Sequence, residues 1–296
     1  MREITIKSQS GKNIEFTSGS GGHETSLVIL SFGEDFSGKS SLGATGPGIS
    51  AIVPLDRKTR FAAEKRAKEC GGSIIMPKVD LVREGNMSVR SGWMSEDTEV
   101  DEKKAAEIDK KTKIAYRSHI NMVKETVWAL HDHKDVRLIQ IDLFEQFWQD
   151  LCFAHYGRTG NLIRKLPQGK VYKDTSEAHQ EMVDFINSIS DKHLILTHRC
   201  RDEYYNDVKT GRMTWNGNKY LGHLCNVVIE HIKNRKYDPN SKDDNKSWHY
   251  GLNIHRCLHN IELEGPDGQL VLTDDLITFQ FLAKAVFPTS DMKEWE

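Results

Sequence analysis

Residues 33–41 read GEDFSGKSS, set between the apolar run SLVILSF (26–32) and the small-residue stretch LGATGPG (42–48). The spacing Gly33-x4-Gly38-Lys39-Ser40 fits the phosphate-binding pattern GxxxxGK[ST]. Each residue type has a chemical reason to stand there. Glycine lets the backbone curl so that successive amides turn inward toward phosphate oxygens. A helix opening after the loop adds its positive end to the same anion. Lys39 is placed to reach the β- and γ-phosphates and the Ser40 hydroxyl to ligate Mg²⁺. The nucleotide-binding set predicted from this stretch is Gly33, Glu34, Asp35, Phe36, Ser37, Gly38, Lys39, Ser40 and Ser41. The cofactors it implies are ATP and Mg²⁺.

A metal-bound triphosphate needs a second acid at the carboxyl end of a neighbouring buried strand. The run VRLIQID (136–142) supplies one in Asp142, which is predicted to hold the metal together with Ser40. Asp142 also sits where it would cap the helix pattern LFEQFWQDL. The run AIVPLD (51–56) ends in Asp56, at the same edge of the sheet, where ligands collect in open α/β folds. Lys39, Asp142 and Asp56 are therefore catalytic candidates.

Further runs short enough for buried strands are SIIMPKV (73–79) and HLILTH (193–198). Helical spacing lies between them at 57–69, 113–134 and 176–190, with Tyr116, Ile120, Val123, Val127 and Leu130 three and four apart. Alternating strands and helices predict an α/β fold with a mostly parallel central sheet covered on both faces. NVVIEHI (226–232) and HYGLNIHRCLHNIELEG (249–265) extend or flank the sheet, and DDLITFQFLAKAVF closes it as a helix capped by Thr273 or Asp274. EITIK and NIEFT, joined by a polar turn, read as a small N-terminal β-hairpin. The division expected is hairpin and linker over residues 1–25 and the core over 26–296, with a charged insertion around 84–113.

Composition excludes little but usefully. No run approaches the roughly 18 apolar residues of a membrane span, and the first residues lack the apolar region of a secretory signal. Five cysteines without CxxC spacing suggest free thiols, hence a cytoplasmic setting. A formal net charge of −2 means that any nucleic-acid contact must come from local basic patches.

LVILSFGEDFSGKSSLGAT, AIVPLD, VRLIQID, HLILTHRCRDE and NGNKYLGHLCNVVIEHI together resemble the successive blocks of RecA-core P-loop ATPases. They are most similar to the phage-encoded branch of nucleotide-binding and single-strand-annealing ATPases. The resemblance covers roughly residues 26–290. It implies ATP held with Mg²⁺ at the interfaces of a homo-oligomer, work on single-stranded DNA in recombination, annealing or replication, and location in the host cytoplasm. It also implies a polar sensor at the tip of the strand between the loop strand and the Asp142 strand, which makes His198 a catalytic candidate. One departure stands out. Where the recombinases carry a catalytic glutamate, two residues beyond the acidic tip of the second strand, this chain has Lys58. Asp56, Glu34 and Glu145 are the substitutes at hand, and hydrolysis is expected to be slow.

The resemblance places DNA contacts after the Asp142 helix and after the His198 strand. The first stretch, 156–173, carries Arg158, Arg164, Lys165 and Lys170 and no acid; the second, 199–219, carries Arg212 and Trp215. Cations neutralise phosphates and aromatic rings stack on unpaired bases. The alternatives are a small-molecule kinase with GRTGNLIRK as its lid, a packaging or helicase motor on the same core, and a nucleotide-binding scaffold without turnover.

Overall fold

A computed structural model describes residues 2–7, 13–18, 26–78, 80–82, 102–157, 176–189, 191–206, 208–235, 248–264, 269–273, 276–291 and 295. Strands β1 (Arg2–Lys7) and β2 (Asn13–Ser18) pair antiparallel as the N-terminal hairpin. In the rest of the chain the strands are β3 (Val28–Gly33), β4 (Ile49–Pro54), β5 (Ser73–Ile75), β6 (Val136–Asp142), β7 (His193–Tyr205), β8 (Val208–Trp215), β9 (Val227–Arg235), β10 (Trp248–Cys257) and β11 (Gln269–Thr273). The helices are α1 (Lys39–Leu42), α2 (Arg57–Cys70), α3 (Glu102–His131), α4 (Phe144–Tyr156), α5 (Ser176–Asn187), α6 (Leu221–Leu224) and α7 (Phe279–Val286).

Among the described residues nine strands form one sheet in the order β11-β10-β9-β3-β7-β6-β4-β5, with β8 paired to β7. The pairings β9–β3, β3–β7, β7–β6, β6–β4 and β4–β5 are parallel; β10 and β11 add an antiparallel edge. The fold is thus α/β, with a mostly parallel mixed sheet flanked by helices. The strand containing HLILTH lies between the loop strand and the Asp142 strand.

Successive side chains on a strand face opposite sides, and here both sides are apolar. On one, Val28, Leu30, Phe32, Ile139, Ile141, Leu194 and Leu196 pack under α3, α4 and α5 through Ile120, Val123, Val127, Phe147, Met182 and Phe185. On the other, Ile29, Leu138, Ile195 and Ile229 pack with Leu42 and with Phe279, Leu282 and Val286 of α7. Glu181 of α5 ties the first layer together: Arg117 and Lys124 of α3 and His155 of α4 all bond its carboxylate.

Several boundaries depart from expectation. β5 stops at Ile75, and the segment that follows does not continue the ladder. α3 starts at Glu102, inside the charged insertion. QLVLT is a strand paired to β10, and the closing helix begins at Phe279, five residues after its predicted start at Asp274. Its cap is Thr278, which accepts from the Phe281 amide, in place of Thr273 or Asp274. The five cysteines are free thiols. No helix among the described residues is long and apolar enough to cross a membrane.

Candidate nucleotide site

The loop 33–41 opens at the carboxyl end of β3 and faces a cleft of 880 Å³. Loop residues 35–41 line it, together with Asp56, Lys58, Thr59 and Phe61 at the start of α2, Asp142, and His249 and Tyr250 of β10. Gly38 has φ of +98°, a left-handed conformation that glycine adopts without a Cβ penalty, and the helical turn begins with the next residue. Gly33 is required by proximity: a Cβ there would lie 2.5 Å from the His231 carbonyl oxygen on β9 and 2.8 Å from Ser37 Oγ.

Lys39 is buried, and its ammonium donates to the carbonyl oxygens of Gly33 and Glu34, closing the loop on itself. Burial lowers the Lys39 pKa from its ordinary value, while the nearby carboxylates, Asp142 first, pull the other way. α1 is held to the sheet by Gln140, whose Oε1 accepts from the Gly43 amide at 2.8 Å. A Cβ on Gly43 would meet that oxygen at 2.1 Å. The helix itself is shorter than the motif predicts. A single α turn, Lys39–Leu42, passes into the 3₁₀ turn Gly43–Thr45 because GATGPG cannot propagate it. So short an element carries little macrodipole, and any anion here would depend on the loop amides and on Lys39.

Asp142 ends β6 on the face that carries α1, by the alternation that also puts Gln140 there. It is buried, and its Oδ1 accepts from the Thr197 hydroxyl of β7. Its Oδ2 is buried without a hydrogen-bond partner among the described residues. A buried carboxylate oxygen left open beside Lys39 and Ser40 is what a hard divalent cation would fill, so the donor set fits Mg²⁺. No three His, Cys, Asp or Glu side chains among the described residues form a metal cage by themselves.

Asp56 caps α2 by accepting from the Lys58 amide at 2.8 Å. Lys58 points its ammonium over the exposed Phe36 ring, 5.3 Å from the centroid, and Lys233 does so at 5.7 Å. Glu145, in the first turn of α4, is buried, and burial pushes its carboxyl above the usual range; the Arg199 amide and guanidinium work against that.

His198 needs correction as a sensor. It shares a face with Leu194 and Leu196, opposite Thr197, so it points away from Asp142. Its ring meets Phe144 edge-on, its Nδ1 contacts the Asn216 carbonyl at 2.7 Å, and burial drives its pKa down to about 4. The polar groups that the strand does bring to the loop side are Thr197 and Arg199. Alternation along HLILTHR could have found them, but a strand buried on both sides shows no polarity contrast to fix the phase.

Of the DNA candidates, Arg158, Arg164, Lys165 and Lys170 lie outside the described residues. The second stretch is no open loop: β7 runs on past the sheet and turns back as β8 through Asn206, which has φ of +49°. Arg212 is exposed on this arm. Trp215 is not a free stacking surface. It packs edge-on against Phe32, donates its indole N–H to the Asn218 carbonyl, and leaves no room for a side chain at Gly222. The exposed rings of the arm are Tyr204 and Tyr205, at its tip.

His231 was missed by the sequence reading. It is buried beneath the loop, with a Cβ on Gly38 falling 3.8 Å from its Nδ1, and burial holds its pKa at about 3. In comparison with known proteins, no family model and no curated protein sequence matches the chain.

Proposed function

We propose that the chain is a RecA-like P-loop ATPase that holds Mg-ATP in the cleft before Lys39 and acts on single-stranded DNA. The observation that carries the nucleotide reading is the open, buried Oδ2 of Asp142 next to a glycine loop closed by Lys39. In this reading Lys39 exchanges its two carbonyl partners for phosphate oxygens. Ser40 and Asp142 hold the metal, and Thr197 fixes the carboxylate rotamer by its hydroxyl. The metal supplies charge neutralisation between the phosphates. The strand order, with β7 between β3 and β6, supports the RecA-like assignment.

Turnover is slow on this reading. Lys58 stands where the related enzymes have a glutamate, Asp56 is engaged as a helix cap, and Glu145 is covered by Arg199. The DNA reading rests on the β7–β8 arm, whose tip exposes Tyr204 and Tyr205 near Arg201, Lys209 and Arg212. Homo-oligomer assembly with ATP at the interfaces belongs to the same proposal.

The experiment is Mg-ATP hydrolysis with and without single-stranded oligonucleotides, with light scattering in parallel. Wild type hydrolyses ATP and responds to the oligonucleotide in rate or mass; Lys39→Ala and Asp142→Asn lose hydrolysis. Turnover equal in all three proteins overturns the ATPase reading. Phosphate transfer to a small acceptor in place of water replaces it with a kinase.

A further inference from the structure

We propose that Gln140 sets the spacing between Ser40 and Asp142, and so determines which divalent cation the cleft accepts with its nucleotide. The inference rests on the nucleotide reading above and adds to it a positioning residue that acts only through its neighbours.

Gln140 is fully buried in β6, two residues before Asp142 and on the same face. An amide side chain is costly to bury in a central strand unless its polar atoms find partners. Here both ends engage α1. Oε1 accepts from the Gly43 amide at 2.8 Å, and Nε2 donates to the Lys39 carbonyl oxygen in a longer contact of 3.5 Å. Lys39 and Gly43 are four residues apart, the span that one α-helical hydrogen bond closes. A single side chain of the sheet therefore grips both ends of the turn that carries Lys39 and Ser40. The Lys39 carbonyl shares a peptide plane with the Ser40 amide, so holding the one orients the other.

The seat is tight. A Cβ on Gly43 would lie 2.1 Å from Gln140 Oε1, and a Cβ on Gly46 would lie 2.7 Å from Leu138 Cδ1 on the same strand. Two glycines let the segment after the loop rest directly on β6, and a larger residue would lift it. Across the gap, Asp142 is fixed by the Thr197 hydroxyl, with Oδ2 left open. The Ser40 hydroxyl and that oxygen are thus carried by two elements joined through one amide. Mg²⁺ demands near-ideal octahedral geometry at about 2.0–2.1 Å, whereas Ca²⁺ accepts irregular ligand sets at about 2.3–2.6 Å. A spacing held this closely favours the smaller ion, and a loosened one loses that preference first.

The test is calorimetric titration of the full chain with a non-hydrolysable ATP analogue in EDTA, in Mg²⁺ and in Ca²⁺. Wild type gains more affinity from Mg²⁺ than from Ca²⁺. Gln140→Met keeps the length of the side chain and makes neither contact. It is expected to lower the Mg²⁺-dependent gain about 10-fold, the low end of what loss of a supporting group costs a metal site. The Ca²⁺ gain and the metal-free affinity each change less than about threefold on the same scale. Gly43→Ala pushes α1 away from the same amide and lowers the Mg²⁺ gain in the same order. Urea melts without metal or nucleotide report folding, and Gly43→Ala carries the comparison if Gln140→Met melts early. Equal losses under all three conditions mark a glutamine that only supports the fold and overturn the proposal. An unchanged ratio of Mg²⁺ to Ca²⁺ gain overturns it too, as does a wild type without preference for Mg²⁺; in each case Lys39→Ala still abolishes binding. If wild type binds the analogue under none of the conditions, the nucleotide reading itself falls, and the inference with it.

Discussion

Three histidines set how this fold meets acid. His193, His198 and His231 are held neutral by burial, with pKa values of about 4, about 4 and about 3 against an ordinary 6.5. A histidine whose folded pKa is depressed binds its proton first in the unfolded chain. Its contribution is complete above pH 6.5 and is lost as pH falls toward the folded value. At pH 5 the unfolded ring is almost fully charged and the buried one is not, which makes each site worth about 2 kcal/mol less than at pH 7. The three together remove about 6 kcal/mol, a large share of the 5–15 kcal/mol that holds an ordinary domain. Urea melts at pH 7 and pH 5 measure this. His198→Gln is chosen because its ring has one polar contact, to the Asn216 carbonyl, which an amide can also make. The variant loses some stability at pH 7 but about 2 kcal/mol less than wild type between the two pH values. If wild type is as stable at pH 5 as at pH 7, or if His198→Gln shows the full wild-type loss, the burial argument is wrong.

Three other outcomes can be checked directly. Gly33→Ala drives a methyl against the backbone of β9, costing about 1–3 kcal/mol in urea melts and abolishing nucleotide binding, because the β3–β9 spacing cannot yield. Burial raises the Glu181 carboxyl, but hydrogen bonds from Arg117, Lys124 and His155 outweigh it and hold it at about 2, so Glu181 supports the fold above pH 4.5 and less as pH falls toward 2. Glu181→Gln should flatten that acid limb and cost on the order of 1–2 kcal/mol at pH 7 after allowance for solvent screening. Native protein treated with iodoacetamide at pH 8 should be modified at exposed Cys70 and spared at Cys225, whose thiol burial pushes up to about 12.

What could be read from the chain and what could not divide along a physical line. Gly33, Gly38, Lys39 and Asp142 were legible because backbone curl and strand-tip chemistry leave little choice of residue type. The α/β alternation was legible because apolar runs of strand length are punctuated by helical spacing. The phase of β7 was not, since HLILTH is apolar or buried on both sides; the choice of His198 over Thr197 and Arg199 follows from that. Gln140 was visible as the one uncharged polar residue in VRLIQID, and its partner Gly43 only appears once α1 is folded against β6. QLVLT was passed over because an edge strand of five residues carries too short a pattern to separate from a loop. Trp215 looked like a stacking ring because sequence gives exposure only by neighbourhood, and its neighbours on β8 are polar.

β7 is one unbroken strand of 13 residues, and at about 3.3 Å per residue it spans roughly 40 Å. In its middle Thr197 bonds Asp142 of the cleft, and its far end carries the two exposed tyrosines. Between these two places its ladder with β8 shifts register, between Asp202 and Tyr204. If one ligand bound at the tip and another in the cleft, any coupling carried by this strand would be equal in both directions.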